Sequence, residues 1–172
     1  MDDNPIVLKA IKRLEDIKER KGKVLVYGDY DTDGVMSTSI LVRAFREFGI
    51  QTEGYLPSRY QDGYGLTVNN VDKIFQKGYS LIFTCDNGVT AHDALKEAKK
   101  LGIEVIILDH HEVTEKEQLL NTPAIIVNNQ LSPNYANKSL SGAGVVYKFI
   151  KEMDREFYPN DHIYHDYGDL AV

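Results

Sequence analysis

The stretch Lys23-Val-Leu-Val-Tyr-Gly-Asp-Tyr-Asp-Thr-Asp-Gly-Val35 decides the fold of this chain. Its first five residues are largely apolar and β-branched, which is typical of a buried strand, and Gly28 ends the run. Residues 35–48 then carry apolar side chains at the helical period and stop before Gly49. A buried strand that leads through a short acidic loop into a helix is the front half of a βαβ unit.

The same alternation recurs along the rest of the chain. Strands are predicted at 51–56, 80–84, 104–108 and 124–127, and helices at 68–76, 91–101 and 144–157. The first strand is preceded by apolar side chains at helical spacing, so residues 1–22 are predicted to form an N-terminal amphipathic helix and 23–172 the domain that follows. Strands without polar alternation, separated by helices, predict a Rossmann-like α/β fold with a mainly parallel β-sheet and helices on both faces.

Composition limits the class of protein. The chain has 172 residues, of which 42% are hydrophobic and 27% charged, as expected for one globular domain. No apolar stretch approaches the roughly 20 residues that span a bilayer, and the N-terminus lacks the layout of a secretion signal, so a cytoplasmic location is expected. The single cysteine, Cys85, excludes an internal disulfide. The net charge of -6 argues against a general electrostatic clamp on nucleic acid, although bound divalent cations would reverse the sign of an acidic pocket.

Polar clusters follow four of the predicted strands. They are Gly28-Asp-Tyr-Asp-Thr-Asp-Gly34, Cys85-Asp-Asn-Gly88, Asp109-His-His-Glu112 and Asn128-Asn-Gln130. The carboxyl ends of parallel strands meet at one edge of a sheet, and ligands bind at that edge. Carboxylates and imidazoles placed there predict a divalent-metal site.

The first cluster places three aspartates, Asp29, Asp31 and Asp33, at alternate positions. If the extended backbone of the strand persists, their carboxylates point to one side and repel one another unless a cation lies among them. The alternative is a solvated loop whose aspartate caps the next helix. Gly28 and Gly34 are expected to permit a sharp turn. An EF-hand is excluded, because no glutamate stands at loop position 12.

The second and third clusters add different ligand types. Asp86 is predicted to bind metal, whereas Cys85 is interpreted as a buried strand residue because hard carboxylates surround it. Adjacent side chains project differently, so one of His110 and His111 can bind metal while the other faces the substrate. Asp109 then suits a supporting role, in which it accepts a histidine N–H and fixes the tautomer. Three further histidines are interpreted as surface residues: His92, His162 and His165.

Five residues are candidates for substrate contacts: Arg59, Ser141, Gly142, Gly144 and Lys148. The side chains of Arg59 and Lys148 can contact phosphates; the alternative is that they are ordinary surface cations. The serine and the glycines open the last predicted helix, whose free N–H groups can receive a phosphate; the alternative is a turn closed by a capping serine. Tyr60 and Tyr64 lie in a loop after the second strand, where they can stack on a terminal base or pack against helices.

These motifs, with Pro57-Ser-Arg-Tyr-Gln-Asp-Gly-Tyr-Gly-Leu66 and Leu140-Ser-Gly-Ala-Gly-Val-Val-Tyr-Lys148, stand in the order and spacing of the DHH phosphoesterases. The chain resembles that superfamily over roughly residues 23 to 172, and within it the branch of single-strand-specific 5′-to-3′ exonucleases. The resemblance implies metal-dependent phosphodiester hydrolysis, a two-metal site for Mn²⁺ or Mg²⁺, and single-stranded DNA as the substrate in repair and recombination. The alternatives are a DHH phosphodiesterase for short oligoribonucleotides or cyclic dinucleotides, and a DHH-like binding domain without catalysis.

Matching positions carry the roles of the family's residues onto this chain. Asp31 would bind the first cation, Asp33 and His110 the second, and Asp86 would bridge the two. His111 would contact or polarise the scissile phosphate.

Two departures from the family pattern affect the expected metal site. Many DHH members have a histidine ligand where this chain has Tyr27, and Asp29 is expected to substitute in part. A further aspartate ligand normally follows an apolar strand that here starts near the end of the chain, and Asp166 and Asp169 are poor substitutes. The chain is therefore expected to be truncated, to bind metal weakly or at one site, and to turn over little. A single-strand-binding protein is expected as a partner of the absent domains.

Overall fold

Helices and strands alternate along the described part of the chain. The computed structural model describes residues 5–132 and 135–157. The elements are α1 (Pro5–Glu19), β1 (Lys23–Tyr27), α2 (Thr32–Glu47), β2 (Gln51–Tyr55), α3 (Val68–Gln76), β3 (Leu81–Cys85), α4 (His92–Leu101), β4 (Glu104–Asp109), α5 (Lys116–Leu120), β5 (Ile125–Asn128) and α6 (Gly142–Phe157).

The five strands form one parallel sheet in the order β2-β1-β3-β4-β5. At its centre, Val24 of β1 lies opposite Thr52 of β2 and Leu81 of β3. The strand order reverses at β1, because the chain moves outward to β2 and then returns past β1 to β3. Such a reversal leaves a crevice at the carboxyl ends of the two strands beside it. The predicted α/β fold with a parallel sheet is confirmed.

Alternate residues of each strand enter two apolar layers. Val24 and Val26 of β1 face α1, α2 and α6, whereas Leu25 and Tyr27 face α3 and α4. The first layer is centred on Phe83, whose ring lies 5.1 Å from that of Phe45 and 5.4 Å from that of Phe149. Burial of one such side chain contributes about 1.5–3 kcal/mol, so the two layers hold the sheet between its helices.

Most boundaries differ from the sequence prediction by one to three residues, and one helix was missed. α2 begins at Thr32 rather than 35, because the Asp31 side chain accepts a hydrogen bond from the Gly34 N–H and caps the helix. α6 begins at Gly142 rather than 144. α5 was not predicted, because five residues are too few to display a period. Among the described residues, no helix is both long and apolar enough to cross a membrane.

Candidate metal centre

Two groups of possible metal ligands meet at the crevice beside β1 and β3. One consists of Asp29, Asp31 and Asp86, and the other of Asp86, His110 and His111. Within each group, the candidate ligand atoms lie within 4.8 Å of one another. Asp86 belongs to both groups, so the side chain that the family resemblance assigns to a bridge occupies the position between them.

Asp86 is a buried carboxylate to which no described residue donates a hydrogen bond. Its residue is 1% exposed, and both carboxylate oxygens are without a hydrogen-bond partner in the described part of the chain. The Nε2 atom of His110 lies 3.0 Å from Oδ1, close enough for an ion pair but without a hydrogen bond. Burial therefore raises the pKa of Asp86 to about 6. The residue also has a φ of 61°, a left-handed conformation that is uncommon outside glycine and gathers at functional sites.

The first acidic loop brings Asp29 and Asp31 to the centre by close packing. Asp29 is buried, which raises its pKa, and its Oδ1 accepts a hydrogen bond of 2.6 Å from the Tyr30 N–H. A Cβ atom on Gly28 would lie 1.9 Å from Thr38 Oγ1, and one on Gly34 would lie 2.5 Å from the Asp29 carbonyl oxygen. Neither glycine has a positive φ. The close approach of neighbouring atoms therefore requires these two glycines, rather than a left-handed backbone.

Asp33 is held by the start of α6. Its Oδ2 accepts a hydrogen bond from the Gly142 N–H at 2.7 Å, and its Oδ1 accepts one from the Ala143 N–H at 2.8 Å. The Gly144 N–H donates to Ser141 Oγ. These N–H groups are therefore already used, and the structure favours a capping serine over the predicted phosphate site at Ser141, Gly142 and Gly144. Asp33 lies in neither ligand group, although its Oδ2 is 3.6 Å from His110 Nε2.

Asp109 supports both histidines from a fully buried position. Its Oδ1 accepts hydrogen bonds from the backbone N–H groups of His110 and His111 and from Nδ1 of His111 at 2.6 Å, and its Oδ2 accepts one from the Val89 N–H at 3.3 Å. This is the predicted contact with a histidine N–H. Nε2 is therefore the ring nitrogen of His111 that remains for a ligand or substrate.

The electrostatic environment raises the pKa of both histidines. The hydrogen bond to Asp109 raises the pKa of His111 to about 9, and the contact with Asp86 raises that of His110. In the metal-free protein, His111 is therefore a cation at neutral pH.

The pH dependence of metal-free stability follows from the raised pKa of His111. Between pH 6.5, the ordinary pKa of histidine, and about pH 9, His111 holds a proton in the folded state that it lacks in the unfolded state. The resulting stabilisation is therefore complete below pH 6.5 and is lost as the pH rises to about 9. We expect the melting temperature in EDTA to fall from pH 6.5 to 9, and to fall less in the His111→Asn variant. Equal slopes in thermal unfolding of the two proteins would contradict this assignment.

Two asparagines secure the loops around the centre. Asn87 donates from Nδ2 to the carbonyl oxygens of Tyr27 and Cys85, which ties the end of β1 to that of β3. Asn128 donates from Nδ2 to the His111 carbonyl, and its Oδ1 accepts two backbone N–H groups. The fourth polar cluster therefore braces the histidine loop. The position of this cluster after a strand was recognisable from the sequence, whereas the tie that Asn87 makes between two strand ends was not.

The surroundings of Tyr27 and Cys85 do not favour a metal-binding role for either side chain. The Tyr27 hydroxyl donates to the Gly65 carbonyl at 3.0 Å and accepts from Asn70 Nδ2 at 2.7 Å, so it packs under the loop after β2. Burial raises the pKa of Cys85 to about 12, which keeps it a thiol. Tyr64 is 57% exposed, and partial burial and the charges of the site carboxylates raise its pKa to about 12.

The remaining predicted residues lie in other settings. Arg59 is exposed, with its guanidinium carbon 5.9 Å from the centre of the Tyr30 ring, beside the acidic loop. Lys148 lies on α6 with Nζ 4.2 Å from the centre of the Tyr135 ring. The His92 side chain is only 13% exposed and pairs with a glutamate on the loop before α5, so the surface interpretation was wrong for it. Outside the described residues lie His162, His165, Asp166 and Asp169.

Comparison with known families matches residues 23–172 to the DHH family, N-terminal domain. The single-stranded-DNA-specific exonuclease RecJ of Bacillus subtilis (strain 168) is 38% identical over 154 residues, which are 87% of this chain and 19% of that protein. The RecJ exonuclease of Escherichia coli (strain K12) is 39% identical over 142 residues, which are 82% of this chain and 24% of that protein. The chain thus spans about a fifth to a quarter of the length of these curated relatives.

Solved structures give the same result for the fold. A crystal structure of the exonuclease RecJ bound to manganese superposes with a TM-score of 0.84 at 30% identity, covering 96% of this chain and 41% of that chain. The Mn²⁺ complex of RecJ from Thermus thermophilus superposes with a TM-score of 0.79 at 28% identity, covering 96% of this chain and 23% of that chain.

Proposed function

Because the chain belongs to the DHH family, we propose that it carries the metal-binding half of a phosphodiester hydrolase, most closely a RecJ-like 5′-to-3′ exonuclease acting on single-stranded DNA in repair and recombination. The observation that carries the proposal is the position of Asp86 between two ligand groups. A partnership with a single-strand-binding protein is proposed from the family resemblance alone.

The donor set fits divalent cations. A buried carboxylate without hydrogen bonds is costly unless a positive charge compensates it. Neither oxygen of Asp86 accepts a hydrogen bond from a described residue, and the imidazole of His110, 3.0 Å from Oδ1, compensates the charge only in part. Carboxylates on one side and imidazoles on the other suit Mn²⁺, with Mg²⁺ accepted through the oxygens. Asp29, Asp31 and Asp86 would hold one ion, and Asp86 and His110 the other. Bound cations would activate a water nucleophile and neutralise charge on the phosphoryl group.

His111 is proposed to contact the phosphate. The fully buried carboxylate of Asp109 fixes its Nδ1–H and its ring orientation, and the His111 side chain is 43% exposed. A protonated ring so oriented directs Nε2–H outward as a donor. Such a donor stabilises negative charge that develops on a phosphate oxygen.

The substrate approach is proposed to pass between Arg59 and Tyr64. Arg59 stands beside the acidic loop, where it can pair with a phosphate, and the exposed ring of Tyr64 can stack on a base at the rim. The bound metal cations would supply the remaining positive charge near the substrate. They would allow a chain with a net charge of -6 to bind a negatively charged nucleic acid.

The test of the proposed function is the release of mononucleotides from long 5′-phosphorylated single-stranded DNA in Mn²⁺ by the intact protein that carries this domain. We expect degradation from the 5′ end. Cleavage of only di- or trinucleotides, or of cyclic dinucleotides, would favour the small-substrate alternative. No hydrolysis of any of these substrates, despite Mn²⁺ binding, would favour a binding domain.

His111→Asn separates the phosphate contact from metal binding. We expect the rate of hydrolysis to fall by about 10²–10³-fold, as for loss of one charge-stabilising donor, while the Mn²⁺ dissociation constant changes by less than about tenfold. Calorimetric titration and single-turnover hydrolysis measure the two quantities. His92→Asn on α4 is the matched control and should retain both. Equal losses of affinity and rate in His111→Asn would make this imidazole a ligand instead.

A further inference from the structure

The start of α6 forms one wall of the candidate metal centre. Gly142 and Ala143 hold both oxygens of Asp33 through their N–H groups, although they follow it by more than a hundred positions. The positive end of a helix favours a carboxylate at this place. α6 is therefore tied to the acidic loop by a bidentate contact that fixes the orientation of Asp33.

The same turn of α6 packs directly against Asp86. A Cβ atom on Gly142 would lie 2.6 Å from Asp86 Oδ1 and 2.9 Å from both its Cβ and Cγ. These separations are well below a carbon–carbon contact of about 3.5–4.0 Å. Gly142 does not have a positive φ, so its backbone conformation is open to other residues. The position requires glycine because the side chain of Asp86 fills the space.

We propose that Gly142 is a positioning residue of the metal centre, whose missing side chain lets the first turn of α6 seat against Asp86 while its N–H holds Asp33. The inference rests on the proposed function, since it concerns the same cation site. The oxygen of Asp86 that a methyl group would meet is Oδ1, which also faces His110. A side chain at position 142 would therefore displace the shared ligand from the side of the second ion.

A matched pair of glycine substitutions tests the proposal. Gly142→Ala and Gly144→Ala both place alanine in the first turn of α6, so their effects on helix propensity are alike. A Cβ atom on Gly144 would meet Leu140 Cδ2 at 3.1 Å, the end of a side chain that can move. We expect Gly142→Ala to weaken Mn²⁺ binding at least tenfold by calorimetry, and Gly144→Ala to change it less than threefold.

The metal-free stability separates positioning from a general folding defect. We expect Gly142→Ala to lower the melting temperature in EDTA, and to lower it much less when it is introduced into the Asp86→Gly variant than into the parent, because glycine at position 86 removes the atoms that clash. An unrelieved loss, or unchanged Mn²⁺ affinity in folded Gly142→Ala, would overturn the positioning role. Failure of the intact parent protein that carries this domain to bind Mn²⁺ would instead overturn the proposed metal centre and this role with it.

Discussion

Replacing Asp86 with asparagine is expected to abolish tight Mn²⁺ binding by the intact protein that carries this domain, and at the same time to stabilise the metal-free fold. The carboxylate lies in both ligand groups, so its loss removes an oxygen ligand from each. Without a cation, the same carboxylate is buried and receives no hydrogen bond from any described residue. Asparagine has nearly the same shape and tolerates a φ of 61° about as well as aspartate, so the substitution removes the charge of Asp86 and with it the ion pair to His110. The raised pKa of Asp86 already includes the opposing effect of His110.

The sign and size of the stability change follow from the pKa of Asp86. Burial raises it from 3.8 to about 6, so the ionised form penalises the folded state above pH 6 and the penalty disappears toward pH 4. At pH 8 the penalty is on the order of 2–3 kcal/mol, and burial of an unpaired amide offsets about 1 kcal/mol of the gain.

Urea unfolding in EDTA measures this gain, which should be about 2 kcal/mol at pH 8 and should shrink below pH 6. Asp93→Asn, at a side chain that is 87% exposed, is the control and should change stability little. A destabilised Asp86→Asn protein, or one that still binds two Mn²⁺ ions tightly, would show that the carboxylate does not act as a shared ligand.

Replacing Asp109 with asparagine is expected to have the opposite effect on the metal-free protein. Asp109 is fully buried like Asp86, but it accepts hydrogen bonds from three backbone N–H groups and from the ring of His111. An asparagine side chain has one acceptor oxygen, so its NH₂ group would face a donor and the charge that holds His111 would be lost. We expect a loss of roughly 3–5 kcal/mol, as for breaking a buried pair.

Urea unfolding at pH 7 measures this loss, and Glu112→Gln is the control. Glu112 is exposed and follows directly after the histidines, so the same chemical change there should alter stability by less than about 0.5 kcal/mol. We also expect the pKa of His111, measured by NMR titration, to return toward its ordinary value in Asp109→Asn. An unchanged pKa would show that another group holds the imidazole proton.

The fold could be predicted almost completely from the sequence. Five apolar strands separated by helices favour one arrangement, a parallel sheet covered on both faces, and the polar clusters after β1, β3 and β4 could be assigned to one edge of it. α5 was missed, because a single turn and a half has no measurable period.

The identities of the side chains in the centre could also be predicted, because carboxylates and imidazoles at strand ends are recognisable by type and position. The role of each one could not. Asp86 and Asp109 are both aspartates at the end of a strand, yet among the described residues one receives no hydrogen bond and the other receives four. That difference depends on which backbone N–H groups the surrounding loops direct at each carboxylate.

The sequence by itself determined the sheet, its covering helices and the set of residues at its carboxyl edge, since periodicity and composition are local properties of the chain. Only the tertiary structure decided that the start of α6 donates hydrogen bonds to Asp33 and that Gly142 packs against Asp86. These contacts join positions 56 to 110 residues apart, and no local pattern encodes which glycine will meet which carboxylate. The packing of α6 against α2 and the sheet brings them together.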